Sequence, residues 1–357
     1  MEAVIPEKTT AAHSGEKIGS QHIGIVVAML LGILLAVILC SIAMGAVRVP
    51  IQAMLGAWLN QQPLSREQHA ILFQIRLPRI LAAALAGAAL SAAGLLFQGL
   101  FRNPLADPYV IGSSGGAVLG ACVGMFVLPQ LSVFGFSATA LLAFAGSLLT
   151  IVLVYRLARV GGRTSVVTLL LAGFAVSTML SYSSYFLEVL DEDYGTGMRV
   201  LASWLRGVIG IPRWGQLAVI AVMFLIAFAF CLPIARRLNT LALGDEYAQQ
   251  LGLNVERVHI SIIVVGSLLT AAAVALGGLI SFVGLIVPHL ARMVMGPDHF
   301  RLLPVTAIAG AIFLVVTDTL ARTILAPSEM PVGVLMAFIG GPFFLYLLRR
   351  TRREYAL

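Results

Sequence analysis

Arg76-Leu-Pro-Arg79, then Ile80-Leu-Ala-Ala-Ala-Leu-Ala-Gly-Ala-Ala-Leu-Ser-Ala-Ala-Gly-Leu-Leu-Phe-Gln-Gly-Leu100, then Phe101-Arg-Asn-Pro-Leu-Ala-Asp-Pro108, sets the architecture of this chain. Its middle part is apolar over the ~20 residues a helix needs to cross ~30 Å of hydrocarbon. It is also rich in Ala, Gly and Ser, the residues that let membrane helices approach backbone to backbone. Arginines stand at one end and a turn punctuated by two prolines at the other.

The rest of the chain repeats this character. Hydrophobic residues make up 59% of the 357 and charged residues 11%, with mean hydropathy +0.98. A soluble domain carries about 25% charge, so a water-facing surface cannot be covered here and the chain reads as an all-α polytopic membrane protein. The net charge of +7 does not indicate nucleic acid, because no basic patch is interleaved with aromatics. Arg-rich cytoplasmic loops account for it. Cys40, Cys122 and Cys231 each lie inside an apolar run without metal-ligand spacing and read as small core residues. Residues 1–21 are polar, and the apolar run after them is too long for a cleaved signal peptide.

Apolar stretches fall near 22–46, 77–100, 112–128, 138–155, 165–187, 215–235, 258–278, 280–295, 303–325 and 331–348, giving ten predicted transmembrane helices within residues 22–348. Residues 1–21 and 349–357 are then tails on one side. Placing both termini in the cytoplasm puts 15 of the 23 Lys and Arg on cytoplasmic segments and 8 outside, the asymmetry that sets orientation. Spans 2 and 7 share a small-residue character, with Ala82-Ala-Ala84, Gly87 and Ala92-Ala-Gly94 in one and Gly266, Ala271-Ala-Ala273 and Gly277-Gly278 in the other. Five spans separate them, so such a repeat is inverted in topology, an architecture of transporters.

Four groups of residues are candidates for function. Arg76, Arg79 and Arg322 lie at outer helix ends, where they either snorkel to headgroups or form a docking surface for an acidic partner. Leu243, Gly244, Asp245, Glu246, Ala248, Leu251 and Gly252 belong to the loop 239–257, which is long enough for two helical turns with Tyr247 and Leu251 on one face. Gly252 is a plausible stop, and the two acids suit the helix start. This helix is either interfacial or laid into a groove of a partner. In span 5, Ser177, Ser181, Ser184 and Tyr185 share one face; hydroxyls there line a wet pathway or bond back to their own helix. Arg199, Arg206 and Arg213 follow span 5 with several acids, as solvated charge or a substrate mouth. Asp318 is a carboxylate well inside a span, a functional candidate by default, although Arg322 one turn later offers a structural pair.

No GxxxxGK[ST] is present; Gly112-Ser-Ser-Gly-Gly116 lacks the lysine, so the chain has no phosphate-binding loop of that type. No HExxH, paired-carboxylate or histidine metal pattern occurs.

Six segments in order resemble the FecCD/BtuC-type permeases of ABC importers for iron-siderophore, haem and cobalamin. They are Arg76–Pro108, Leu243–Asn254, Gly278-Leu-Ile-Ser-Phe-Val-Gly-Leu-Ile-Val-Pro-His-Leu-Ala-Arg292, Gly296-Pro-Asp-His299, Thr317-Asp-Thr-Leu-Ala-Arg322, and Glu329-Met-Pro-Val-Gly333 with Gly340-Gly-Pro-Phe343. The resemblance implies a type II ABC importer permease fold of inverted five-helix repeats in the bacterial inner membrane. It also implies a homodimer, two ATP-binding cassette subunits below carrying the ATP and Mg, and a periplasmic substrate-binding protein above. The chain itself would be no enzyme and would hold no cofactor. In such permeases the loop matching Leu243–Asn254 contacts the ATPase, the helix matching span 5 lines the pathway, and outer arginines matching Arg76, Arg79 and Arg322 meet the binding protein.

The expected mechanism is alternating access driven by the partner ATPases, with an iron complex (haem or a ferric siderophore) ahead of cobalamin as cargo. After Trp204, Leu205-Arg-Gly-Val-Ile-Gly210 replaces the small-residue stretch usual in such permeases, which leaves the cargo open. The rival of another class is an ion-coupled secondary transporter, for which only Asp318 offers a midplane titratable group.

Overall fold

A computed structural model describes residues 20–45, 64–133, 135–160, 163–189 and 194–355. They form α1 (Ser20–Ala43), α2 (Arg66–Phe101), α3 (Ser113–Val127), α4 (Ala138–Ala158), α5 (Val166–Val189), α6 (Tyr194–Leu205) and α7 (Trp214–Leu241). There follow α8 (Asp245–Gln250), α9 (Val255–Gly277), α10 (Val283–Met295), α11 (His299–Thr323) and α12 (Val332–Tyr355). Two short antiparallel ladders, Ser132–Val133 with Phe136–Ser137 and Arg159–Val160 with Arg163–Thr164, tie off the turns flanking α4.

Among the described residues eight helices are long and apolar enough to cross a membrane, and α3 and α10 complete the ten predicted crossings. These two differ from expectation. At ~1.5 Å per residue neither is as long as the ~30 Å of hydrocarbon, because each is preceded by a lead-in outside the α-helix that the continuous apolarity of the sequence conceals. Before α3 the chain turns back into the bundle, where Pro108 lies against Gly284 of α10. Before α10 it runs unwound from Gly278 to Phe282.

Helix α2 is the axis of the bundle. Ser65 and Gln68 close a capping box at its start, which satisfies two of the N–H groups a helix leaves open. Pro78 has no N–H for the next ladder bond, and over Ile71–Arg76 the helix loosens to π geometry, with Leu77 N donating to Leu72 O. Gly94 crosses Gly284, and Gly87 crosses Gly310, so closely that a Cβ on either would strike the opposing carbonyl. The small residues therefore permit approach of whole backbones, the packing that van der Waals contact in a bilayer rewards.

The inverted repeat is visible in the packing. Helix α2 lies against α9 at the centre; α2 also packs on α11 of the second half, as α9 packs on α4 of the first. Helix α3 packs on α4 as α10 packs on α11. Pro288 in α10 cannot bond the Gly284 carbonyl; Gln98 Nε2 donates to it at 3.3 Å and to Leu285 O at 3.2 Å, while Arg292 Nη1 holds Gln98 Oε1 at 3.1 Å. Cys122 and Cys231 are buried, whereas Cys40 is exposed on α1, contrary to its reading as a core residue.

Candidate transport pathway and coupling surface

The arginines expected to form a docking surface lie inside the protein. Arg76, Arg79 and Arg322 are only 4%, 6% and 5% exposed, and Asp318 is 1% exposed. Arg79 Nε and Nη2 donate to Asp318 Oδ1 at 3.1 and 3.0 Å, and Arg322 Nε donates to Oδ2 at 2.9 Å. Arg79 Nη1 reaches Glu329 at 2.7 Å, and Arg322 Nη2 reaches Ser41 Oγ at 3.0 Å. Arg76 Nη1 donates to Ile42 O at 2.7 Å, at the end of α1, where the helix dipole favours a cation. The cluster bolts α1, α2 and α11 together, so within this chain these guanidiniums serve the bundle. Asp318 is the structural partner that its i,i+4 spacing allowed.

The hydroxyls of α5 do not act as one stripe. Ser177 Oγ accepts from Gly115 N at 2.9 Å and pairs with Ser114 Oγ at 3.2 Å, which fastens α5 to the start of α3. Ser184 is 2% exposed and donates to Ser181 O at 2.7 Å. Ser181 and Tyr185 are exposed, on an arc with Leu171, Phe174, Thr178 and Tyr182. The expected face is therefore the edge of a wider surface, with Ser177 and Ser184 turned inward.

That surface continues through segments that the sequence reading left out. The turn Pro108–Ile111 runs beside α5, with Gly112 against the Gly173 backbone. Asp107 accepts from Tyr109 N at 2.9 Å and from the backbone N–H of Phe282. Tyr109 Oη accepts from Ile280 N at 3.4 Å. Two side chains from the break in the first half thus satisfy backbone donors exposed by the break in the second. Phe282, held at φ 70°, lays its ring on Gly340 of α12. Helix α5, the two breaks and α12 form one continuous run across the bundle.

The loop 239–257 carries α8. Ala248 is fully buried and seats the helix, while Leu243, Tyr247 and Leu251 stand 62%, 65% and 67% exposed. Leu253 N bonds to Ala248 O and Gly252 takes φ 82°, the glycine stop expected there. Asp245 lies in the first turn and pairs with Arg102, which also bonds the Leu241 carbonyl at 2.8 Å. This short helix thus has an apolar ridge in the open and a charged strap at its base, which suits an interfacial helix or one laid into a partner's groove.

A model of the FecCD transport family matches residues 33–350. The chain belongs to that family. It is 45% identical to the cobalamin import system permease protein BtuC of Halobacterium salinarum over 78% of this chain and 73% of that one. It is 39% identical to the hemin transport system permease protein HmuU of Yersinia pestis over 91% and 97% of the two chains. It is 38% identical to the Fe(3+) dicitrate transport system permease protein FecD of Escherichia coli over 88% and 95%. Among solved structures it is similar to a metal-chelate type ABC transporter in an inward-facing conformation, with 30% identity, TM-score 0.78 and coverage of 92% and 99%. This FecCD-family chain is therefore a transport permease of the type II ABC importer fold.

In this FecCD permease Arg199, Arg206 and Arg213 are all exposed, around α6 and the segment leading into α7. Arg206 Nε folds back onto Ala202 O at 2.8 Å, and the carbonyl of Arg206 packs on Gly333 at the start of α12. Of the acids expected beside them, Asp191, Glu192 and Asp193 lie outside the described residues. Among the described residues no three His, Cys, Asp or Glu side chains converge as a metal site. Arg102, Asp107, Tyr109 and Phe282 were missed by sequence reasoning. The one available signal was the Asn-Pro and Asp-Pro punctuation, which marks a turn without showing that it re-enters the bundle.

Proposed function

We propose that this chain is the membrane permease of a binding-protein-dependent importer of the bacterial inner membrane, with both termini in the cytoplasm. Two copies face each other across the surface made by α5, the paired breaks and α12, and cargo moves between them. The α8 end of each copy is cytoplasmic and rests on an ATP-binding cassette subunit, where ATP and Mg are bound and hydrolysed. A periplasmic binding protein delivers cargo at the opposite end, where exposed Arg199, Arg206 and Arg213 favour an anionic load. The observation that carries the reading is the ridge of Leu243, Tyr247 and Leu251, left open to solvent at one end of the bundle. A load of cargo on one side and a motor on the other is the division of labour this geometry supports.

The cargo we propose is an iron complex, haem or a ferric siderophore. A second reading, cobalamin, is favoured by the 45% identity to an archaeal permease named for cobalamin import. Uptake by a permease-deletion strain carrying this chain with its partner subunits separates them. Labelled haem or ferric siderophore should accumulate while cobalamin does not. Accumulation of cobalamin alone moves the assignment to the second reading, and accumulation of none of the three overturns both.

A further inference from the structure

Arg102 ends α2 in a left-handed conformation, φ 47°, which non-glycine residues rarely adopt. Its own N–H bonds to the Gln98 and Gly99 carbonyls hold it there. Turned back in this way, its guanidinium leaves its own helix. Nη2 donates to the carbonyl of Leu241, the last residue of α7, at 2.8 Å and to the carboxylate of Asp245 in the first turn of α8. A cation at the C-terminus of α7 and an anion at the N-terminus of α8 each suit the local helix dipole. One side chain therefore joins the ends of two membrane helices to the start of α8.

The helix it terminates is the one best placed to carry a displacement onward. Helix α2 touches α9, α10 and α11 along its length. Its far end carries Arg79, which is tied into the buried cluster with Asp318. By contrast α8 is seated by Ala248, the one buried residue of its six. A push on the exposed ridge of so short a helix reaches the bundle through a small seat and this charged link.

We propose that Arg102 is a positioning residue for energy coupling, the strap by which movement of α8 is delivered to α2. The proposal rests on the reading of α8 as the ATPase contact. It is tested on the complete complex in proteoliposomes, with cargo uptake and ATP hydrolysis measured in the same vesicles. Arg102→Gln leaves a shorter, neutral polar side chain and so removes the charge. The ATPase subunits should co-purify and hydrolyse ATP as before, while cargo moved per ATP falls about tenfold, within the range of ordinary coupling energies. Arg102→Lys should keep most of the wild-type ratio. An unchanged ratio in Arg102→Gln overturns the proposal, as does equal loss of uptake and hydrolysis in that variant, which marks a purely structural role. Leu251→Glu tests the underlying reading separately. If that variant still binds the ATPase subunits normally, α8 is not their contact, whatever Arg102 does.

Discussion

Asp318→Ala should leave almost no folded protein in detergent extracts, judged by a monodisperse peak on size exclusion and by thermal unfolding. The carboxylate is 1% exposed and both of its oxygens are used, one by Arg79 and the other by Arg322. Removing it strands the buried guanidinium of Arg322 and leaves Arg79 only the half-exposed Glu329, and breaking a buried pair from one side costs about 3–5 kcal/mol, a large part of the 5–15 kcal/mol that holds a typical domain. Most of that cost is desolvated charge left without a counter-ion, so neutralising the whole set should be far milder. Arg79→Met, Asp318→Leu and Arg322→Met together should recover most of the folded yield, since apolar replacements of buried ion clusters are often neutral or better. The triple variant also separates structure from docking. If it folds and still transports, the arginines serve the bundle. If it folds but no longer engages the binding protein, the surface role that burial argues against would have to be restored.

The second large effect is at α8. Tyr247→Glu with Leu251→Glu should abolish co-purification of the ATPase subunits and reduce cargo uptake to background, while the permease itself melts as before. Both residues are about two-thirds exposed, and surface substitutions generally stay within about 0.5 kcal/mol. A charge pressed into an apolar groove, by contrast, loses a partner-facing anchor and must be desolvated, and such anchors carry about 2 kcal/mol or more each. A pull-down of the ATPase subunits alongside thermal unfolding checks both halves of the expectation. Undiminished co-purification would mean the ridge faces lipid headgroups instead.

Much of this was legible in the sequence because hydropathy reports on one dimension, along the chain. The ten crossings, the small-residue character of α2 and α9, and the helix closed by Gly252 were all written in runs and spacings. What was not legible concerns the other dimensions. Arg79 and Asp318 are 239 positions apart, so no spacing rule brings them together; only Arg322, four residues from Asp318, was within reach of one. The periodicity of α5 placed Ser177, Ser181, Ser184 and Tyr185 on one arc but could not say which edge of that arc turns inward onto α3. Hydropathy likewise ran unbroken through Gly278–Val283, hiding the unwound lead-in to α10, where Phe282 takes a positive φ supported by Asp107 from the other half. Local patterns specified the elements, and their rotation and depth came from packing.

On the proposed function this permease is a passive gate, and a separate motor does its work. Sealed vesicles bearing the full complex, with loaded binding protein outside and nucleotide trapped inside, test that division through the ratio of internal to external cargo. ATP should drive accumulation against the gradient, and a non-hydrolysable analogue should drive none. Uphill accumulation without nucleotide hydrolysis, sustained by an ion gradient alone, would contradict it.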